Sequence, residues 1–346
     1  MLMEPEEIDV ERVTQWFVAH VSPLATPLTF GLIAGGRSNL TYRVEDIDGR
    51  AWVLRRPPIR HVLTTAHDVA REYQIMSALK STAVPVPKTI GLSADGGDHF
   101  PFLVMEFVDG HILRTISDAE DSFARSIRMT VGRRMAEVLA TLHAIGPDDV
   151  GLAQLGRHGG YLERQLKRWS MQYEQMQLES THHRDVVLRV RDELASRIPV
   201  QQRTSIVHGD YRLDNVVLSD DGSVCAVLDW ELCTLGDPLA DLGLLLVYWT
   251  GPEDEISVLG QAPTAAPGFA GRTKVLDDYA NLSNLDLSDI AYYMAFGYWK
   301  LACILQGVYA RYEGGARAGD SRSVKRLPEQ VKWLAQTAAD TLGPRR

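Results

Sequence analysis

Apolar residues recur with two different periods on either side of residue 110, and that switch restricts the chain to a mixed architecture in two parts. Before it, Leu28 to Ala34, Leu40 to Val44 and Ala51 to Arg55 are short β-rich runs. The first ends in Gly35-Gly36, and Asp46-Ile47-Asp48-Gly49 sets a hairpin turn between the other two. Pro57-Pro58 stops the sheet, and His67 to Lys80 has helical spacing with Val69, Tyr73, Met76 and Leu79 on one face. Val84 to Pro87 reads as an extended connector, and Phe102 to Met105 as another strand. Beyond residue 110 the spacing predicts helices over Asp118 to Ala144, Tyr161 to Leu178, Arg184 to Arg197, Leu239 to Trp249, Ser288 to Tyr312 and Pro328 to Leu342. Gly251 to Gly271 reads as a long loop. The predicted fold is α+β: a small antiparallel-sheet lobe over 1–105, a connection at 106–110 and a helical lobe over 111–346.

Within the helical part lies a non-helical insert, Ser205 to Gly236, that carries most of the chemistry. Ile206-Val207 leads into His208-Gly-Asp-Tyr-Arg-Leu-Asp-Asn215, and Val227-Leu228 leads into Asp229-Trp-Glu231. The turn Ser219-Asp-Asp-Gly222 between them predicts a hairpin with Asn215 and Asp229 at its open end. Asn and Asp oxygens are hard ligands, and Mg²⁺ takes one or two such groups beside substrate phosphates, so Asn215 and Asp229 are the candidate metal ligands. Asp210 is the candidate for aligning an attacking hydroxyl and taking its proton late, and Arg212 for meeting a migrating phosphate.

Composition excludes several other classes. A net charge of -9 with no basic arm argues against a nucleic-acid or anionic-membrane partner. Three cysteines, Cys225, Cys233 and Cys303, without a C-x-x-C pair predict reduced thiols, with no disulfide framework or structural zinc. Met1 to Glu11 has no apolar core of a secretory signal, and Leu239 to Trp249 is too short to span a bilayer and contains Asp241. A cytoplasmic location is the expectation.

The insert resembles the catalytic loop and metal-binding strand of the protein-kinase-like fold. It is more similar to the aminoglycoside phosphotransferase family, whose loop begins His-Gly-Asp and whose later metal Asp precedes Trp or a similar residue. The run Leu228-Asp-Trp-Glu-Leu-Cys-Thr-Leu-Gly-Asp-Pro-Leu-Ala-Asp-Leu242 further resembles mycobacterial members of that family and the kinase domains fused to acyl-CoA dehydrogenases. The likeness covers about residues 28 to 310. It implies ATP, or GTP, with Mg²⁺. It places a nucleotide-covering loop at Gly35, Gly36, Arg37, Ser38 and Asn39. The family's third-strand lysine falls on Arg55, a departure, since a guanidinium is not a neutral swap. Its helix partner falls on Glu72, and the backbone of Glu106, Phe107 and Val108 on the adenine edge. Asp241 corresponds to the family's buried carboxylate that braces the catalytic loop, and such a group amid leucines needs a partner.

The remaining candidates have plainer readings. His208 anchors the loop through hydrogen bonds, His143 is a core or helix-end histidine, and His182-His183 is a surface pair. Tyr292, Tyr293, Phe296, Tyr298 and Trp299 fall at helical spacing, as core or as a wall of a substrate pocket. The expected activity is transfer of the γ-phosphate to a hydroxyl of a small molecule. A polycationic aminoglycoside would meet Asp109, Asp214, Glu231 and the acidic trio 253–255. A hydroxyacyl compound would meet Arg212, Trp230, Trp249, Tyr292 and Tyr293. Two alternatives compete. A protein kinase lacks room, because only 12 positions separate Asp229 from Asp241 and neither Asp-Phe-Gly nor Ala-Pro-Glu occurs. A nucleotide-binding regulatory module without turnover draws support only from Arg55.

Overall fold

The computed structural model describes residues 8–34, 39–57, 69–93, 100–176, 184–251, 254, 262–313 and 326–343. The chain divides into two units, one of residues 1–110 with 225–232, the other of 111–224 with 233–346.

The first unit is built on a five-stranded antiparallel sheet. Its strands are β1 (Thr29–Ala34), β2 (Leu40–Glu45), β3 (Ala51–Arg56), β4 (Thr89–Ser93) and β5 (Phe102–Glu106), in the order β1-β2-β3-β5-β4. The β2–β3 hairpin pairs Leu40 with Arg56 and Glu45 with Ala51. Its turn is tied by Asp46, whose carboxylate accepts the N–H groups of Asp48 and Arg50 at 3.0 and 2.9 Å, and Gly49 supplies the left-handed backbone at φ 83°. Arg55 pairs with Leu103 across β3 and β5, which puts it on the central strand. Val44, Leu54 and Val104 form the apolar face, covered by Val13 and Phe17 of helix α1 (Val10–His20). Asp9 caps α1 by accepting the Arg12 N–H at 3.0 Å.

Helix α2 (Val69–Leu79) buries Val69, Glu72, Ile75, Met76 and Leu79. The buried stripe therefore runs through Glu72, and Tyr73, assigned to that stripe by spacing, is only half-buried. Residues 225–232 join this unit through the Val227 N–H, which donates to Pro85 O at 2.8 Å. Helix α1 and strand β4 were not expected. The first presents only two buried residues within an acidic stretch, and the second is a half-buried edge strand containing Gly91.

The second unit is mainly helical. The predicted long helix from Asp118 is two helices, α3 (Ile116–Ser122) and α4 (Arg125–Ala144), because Phe123 is extended. A reciprocal Thr115–Asp118 capping box starts α3. Then come α5 (Tyr161–Gln175) and α6 (Arg184–Ala195), followed by strand β6 (Ser205–Val207) and the short strands β7 (Val216–Leu218) and β9 (Thr234–Gly236); between the last two runs β8 (Val224–Val227), all but its first residue in the first unit. β6 and β9 pair antiparallel, Ser205 with Gly236. Helix α7 (Pro238–Tyr248) follows at once, with Asp237 as its N-cap and Pro238 at its start. It is buried on nearly every side, as a helix so largely apolar must be, and the burial takes in Asp241. α8 (Arg272–Leu282), α9 (Ile290–Glu313) and α10 (Leu327–Leu342) complete the unit. α7 and α9 cross closely, since a Cβ on Gly243 would stand 2.7 Å from the Tyr293 backbone. Among the described residues no helix is long and apolar enough to cross a membrane. The α+β, two-lobed class expected from the sequence is the one observed.

Candidate active site

In the second unit β6 delivers His208-Gly209-Asp210 into a turn that the backbone alone would not hold. Gly209 sits at φ 86°, and the carboxylate of Asp241, one turn into α7, accepts the N–H groups of His208 and Gly209 at 2.5 and 2.8 Å. Asp241 is 1% exposed. Burial alone would raise its carboxyl; the His143 side chain, with its Nε2 at 3.4 Å, together with His208 and the Gly209 N–H, outweighs burial and holds it below the usual carboxylate range. His143 is in turn fixed by a 2.8 Å hydrogen bond between Nδ1 and the Tyr279 hydroxyl. His208, fully buried, accepts the Asp210 N–H on Nδ1 at 3.2 Å.

The Asp210 carboxylate carries a different set of neighbours. The Tyr248 hydroxyl donates to Oδ1 at 3.2 Å, Asn215 Nδ2 donates to Oδ2 at 3.0 Å and to the Asp210 carbonyl at 2.9 Å, and Arg212 Nε stands 3.4 Å from Oδ2. With its NH₂ so engaged, Asn215 keeps its amide oxygen for another partner, the group a hard cation requires. Arg212 lies over the Tyr248 ring at 5.0 Å and reaches Asp214 Oδ2 at 3.4 Å. Burial pushes the Asp214 carboxyl up, against the pull of Arg212. Burial and the Asp210 charge push the Tyr248 hydroxyl well up, so it is a proton donor in hydrogen bonds and not a phenolate. Arg212, Asp214, Tyr248 and Trp249, with Pro263 and Thr264, line a recess. Trp249 is buried and donates from its indole to Ala270 O at 2.8 Å. Tyr292 lies in α9 away from that lining, its hydroxyl donating to Leu194 O at 3.1 Å.

In the first unit Arg55 collects three carboxylates. Nε is 3.2 Å from Glu72 Oε1, and Nη2 is 2.5 Å from Asp229 Oδ1 and 3.6 Å from Glu231 Oε2. Glu72, 1% exposed, also accepts from Asn39 Nδ2 at 2.9 Å. Burial, opposed by Arg55 and aided by Asp229 and Glu231, raises the Glu72 carboxyl to about 7. Asp229 adopts φ 62°, the one positive value at a non-glycine among the described residues, and its side chain is 32% exposed. A half-exposed carboxylate on a strained backbone is suited to a hard cation beside phosphates. Arg56 points to the other face, its guanidinium over the Phe100 ring at 4.9 Å. At the end of β5, Glu106 exchanges hydrogen bonds with Lys88, accepting its N–H on Oε1 at 2.8 Å and donating its own N–H to Lys88 O at 2.9 Å. The Phe107 ring lies under Arg43 at 4.7 Å, and Val108 is half-buried. Gly35, Gly36, Arg37 and Ser38 lie outside the described residues, as do His182, His183 and all of the acidic trio but Asp254.

Tyr248 and Lys300 were not singled out by sequence reasoning. Tyr248 closes a helix whose one charged residue is Asp241, and Lys300 is a single charge inside Tyr298-Trp-Lys-Leu-Ala-Cys303, the signal that did draw attention to Asp241. His143 was read as a core histidine; it is buried, and its partner is the loop brace.

The sequence model of the phosphotransferase enzyme family matches residues 29–275. The chain belongs to that phosphotransferase family. It is 34% identical over 313 residues to mouse acyl-CoA dehydrogenase family member 10, covering 87% of this chain but 28% of that protein, so it spans under a third of this curated relative. A solved structure from Ralstonia eutropha JMP134, provisionally designated an aminoglycoside phosphotransferase, superposes with a TM-score of 0.77 at 31% identity, covering 95% of this chain and 98% of that one. An amicoumacin kinase solved with AMP-PNP, Ca²⁺ and its substrate shares the fold at a TM-score of 0.62 and 18% identity, covering 94% and 93%. The phosphotransferase resemblance carried by the His-Gly-Asp loop and the Asp-Trp-Glu run is thus a family relationship.

Proposed function

We propose that this phosphotransferase-family protein moves the γ-phosphate of ATP, or of GTP, to a hydroxyl of a small molecule. The observation that carries the reading is the Asp210 carboxylate, held by Asn215 and by Arg212 and Tyr248, which line a recess, and mounted on a loop braced by Asp241. A carboxylate so held aligns an acceptor hydroxyl and takes its proton as the bond to phosphorus forms. Arg212 offsets charge on the transferring group, and Arg55, standing where the family has lysine, faces the nucleotide phosphates with Glu72 fixing its stem. Asn215 and Asp229 would hold Mg²⁺, which when bound neutralises phosphate oxygens. Gly35 to Asn39 would cover the phosphates, and the backbone of 106–108 would take the base edge. Asp214 and Trp249 border the acceptor, and Glu231 is a remaining candidate; Tyr292, away from the recess, is not retained. Because the mouse relative is named as an acyl-CoA dehydrogenase family member, a hydroxyacyl compound is favoured over an aminoglycoside.

A regulatory module that binds nucleotide without turnover is the second reading, favoured by the Arg55 guanidinium occupying Asp229 at 2.5 Å. Incubation with Mg-ATP and a panel of aminoglycosides, hydroxy acids and hydroxyacyl-CoAs, followed by mass spectrometry, separates the two. A phosphorylated product is expected. Asp210→Ala abolishes it while leaving ATP binding intact; near-normal turnover in that variant would refute the role of Asp210.

A further inference from the structure

An ammonium group is costly to bury, and it stays buried only where neighbouring groups hold it. Lys300 lies in the middle of α9 and is 7% exposed. Its Nζ donates to the Gly209 carbonyl at 2.9 Å and stands 5.7 Å from the Trp169 ring centre. Burial lowers its proton affinity, while Asp210 and Asp241 act in the opposite direction. The peptide joining Gly209 to Asp210 is therefore gripped at both polar atoms: its oxygen by Lys300 and its N–H by His208 Nδ1. Asp241 grips the preceding peptide. Gly209, at φ 86°, has no Cβ to resist rotation of that plane, so side chains must supply the resistance.

We propose that Lys300 is a positioning residue that locks the Gly209–Asp210 peptide and thereby aims the Asp210 carboxylate at the acceptor hydroxyl. A lysine serving stability alone would be poorly chosen here, because a buried ammonium carries a desolvation cost that an apolar side chain of similar length does not. The proposal rests on the phosphotransfer reading of Asp210 for its consequence, but not for its geometry.

The test uses the full chain with Lys300→Met and Lys300→Gln, the second keeping an N–H donor. Hydrogen exchange of a peptide spanning 206–213, without nucleotide, reads the lock directly. In Lys300→Met, exchange at 208–211 should accelerate about tenfold or more while exchange in the helices holds and the melting temperature falls by no more than a few degrees. Mg-ATP affinity should stay within about threefold, and turnover of an acceptor found by the panel should fall about 10²-fold, the cost of a small misplacement. Lys300→Gln should lie between. Unchanged exchange at 208–211 would overturn the proposal, as would loosening there with turnover retained. Loosening throughout the second unit, or failure of both variants to fold, would overturn it by assigning the lysine to general stability. If the unaltered protein phosphorylates nothing, the phosphotransfer reading fails while the exchange result still judges the lock.

Discussion

Replacing Arg55 by methionine removes the one cation that three carboxylates share, and its effect should depend on pH in a way the structure dictates. Glu72 lies almost fully buried 3.2 Å from the guanidinium, and even with Arg55 present burial raises its carboxyl from 4.5 to about 7. That displacement makes the ionised form costlier by about 3 kcal/mol in the folded protein than in the unfolded chain. The native state holds the Glu72 proton more tightly, so its contribution is complete below about pH 4.5 and is lost as pH rises through about 7. Without Arg55 the attraction that opposed burial is gone, the carboxyl rises further, and the loss deepens above neutrality. At pH 8 Arg55→Met should cost about 3–5 kcal/mol, the range for breaking one side of a buried pair. At pH 5 Glu72 keeps its proton, and only the more exposed pairing with Asp229 is forfeited, about 1 kcal/mol. Urea unfolding at the two pH values, followed by hydrogen exchange in β3, measures both. Adding Glu72→Gln should abolish most of the difference. A loss equal at pH 5 and pH 8, or indifferent to Glu72→Gln, would refute the buried-carboxylate account.

Three further outcomes are expected. Tyr248→Phe removes the hydroxyl on Asp210 Oδ1 while leaving a ring under Arg212, and should lower turnover about tenfold with KM for ATP unchanged; an unaltered kcat would show the contact to be idle. Asp229→Ala should eliminate the Mg²⁺-dependent part of nucleotide affinity measured by calorimetry, and a persisting Mg²⁺ dependence would remove Asp229 from the ligand set. Gly243→Ala forces a methyl to within 2.7 Å of the Tyr293 backbone and should cost about 1–3 kcal/mol, visible as a Tm lowered by several degrees; an unchanged Tm would mean that α7 and α9 separate freely.

What could be read in advance followed the locality of each signal. Asp46-Ile-Asp-Gly49 closes its hairpin through bonds to Asp48 and Arg50, all within five residues, so spacing sufficed. Helices with a wide apolar stripe were foreseen to within a few residues, whereas α1, with only Val13 and Phe17 buried, and α8, with only Val275, Asp278 and Tyr279 buried, were not. Glu72 shows where period alone misleads. It falls at the three-residue step between Val69 and Ile75, inside the stripe, yet a carboxylate is counted with the solvent face until its partner is known. Its partners Arg55, Asn39 and Asp229 lie 17 to 157 residues away. Glu72 was named in advance only through the family resemblance, and Lys300, which that resemblance did not single out, escaped notice because Gly209 is 91 positions distant.

The amino-acid order by itself therefore determined what short-range physics can determine: the period of each element, the turns, and the kinds of oxygen and cation assembled in His208 to Asn215 and Asp229 to Glu231. Which charges are buried, and against what, was decided only by tertiary contact. Arg55 became the hub of three carboxylates and Lys300 the partner of the Gly209 carbonyl because burial makes an unpaired charge expensive, and only the folded chain brings in the distant groups that relieve it.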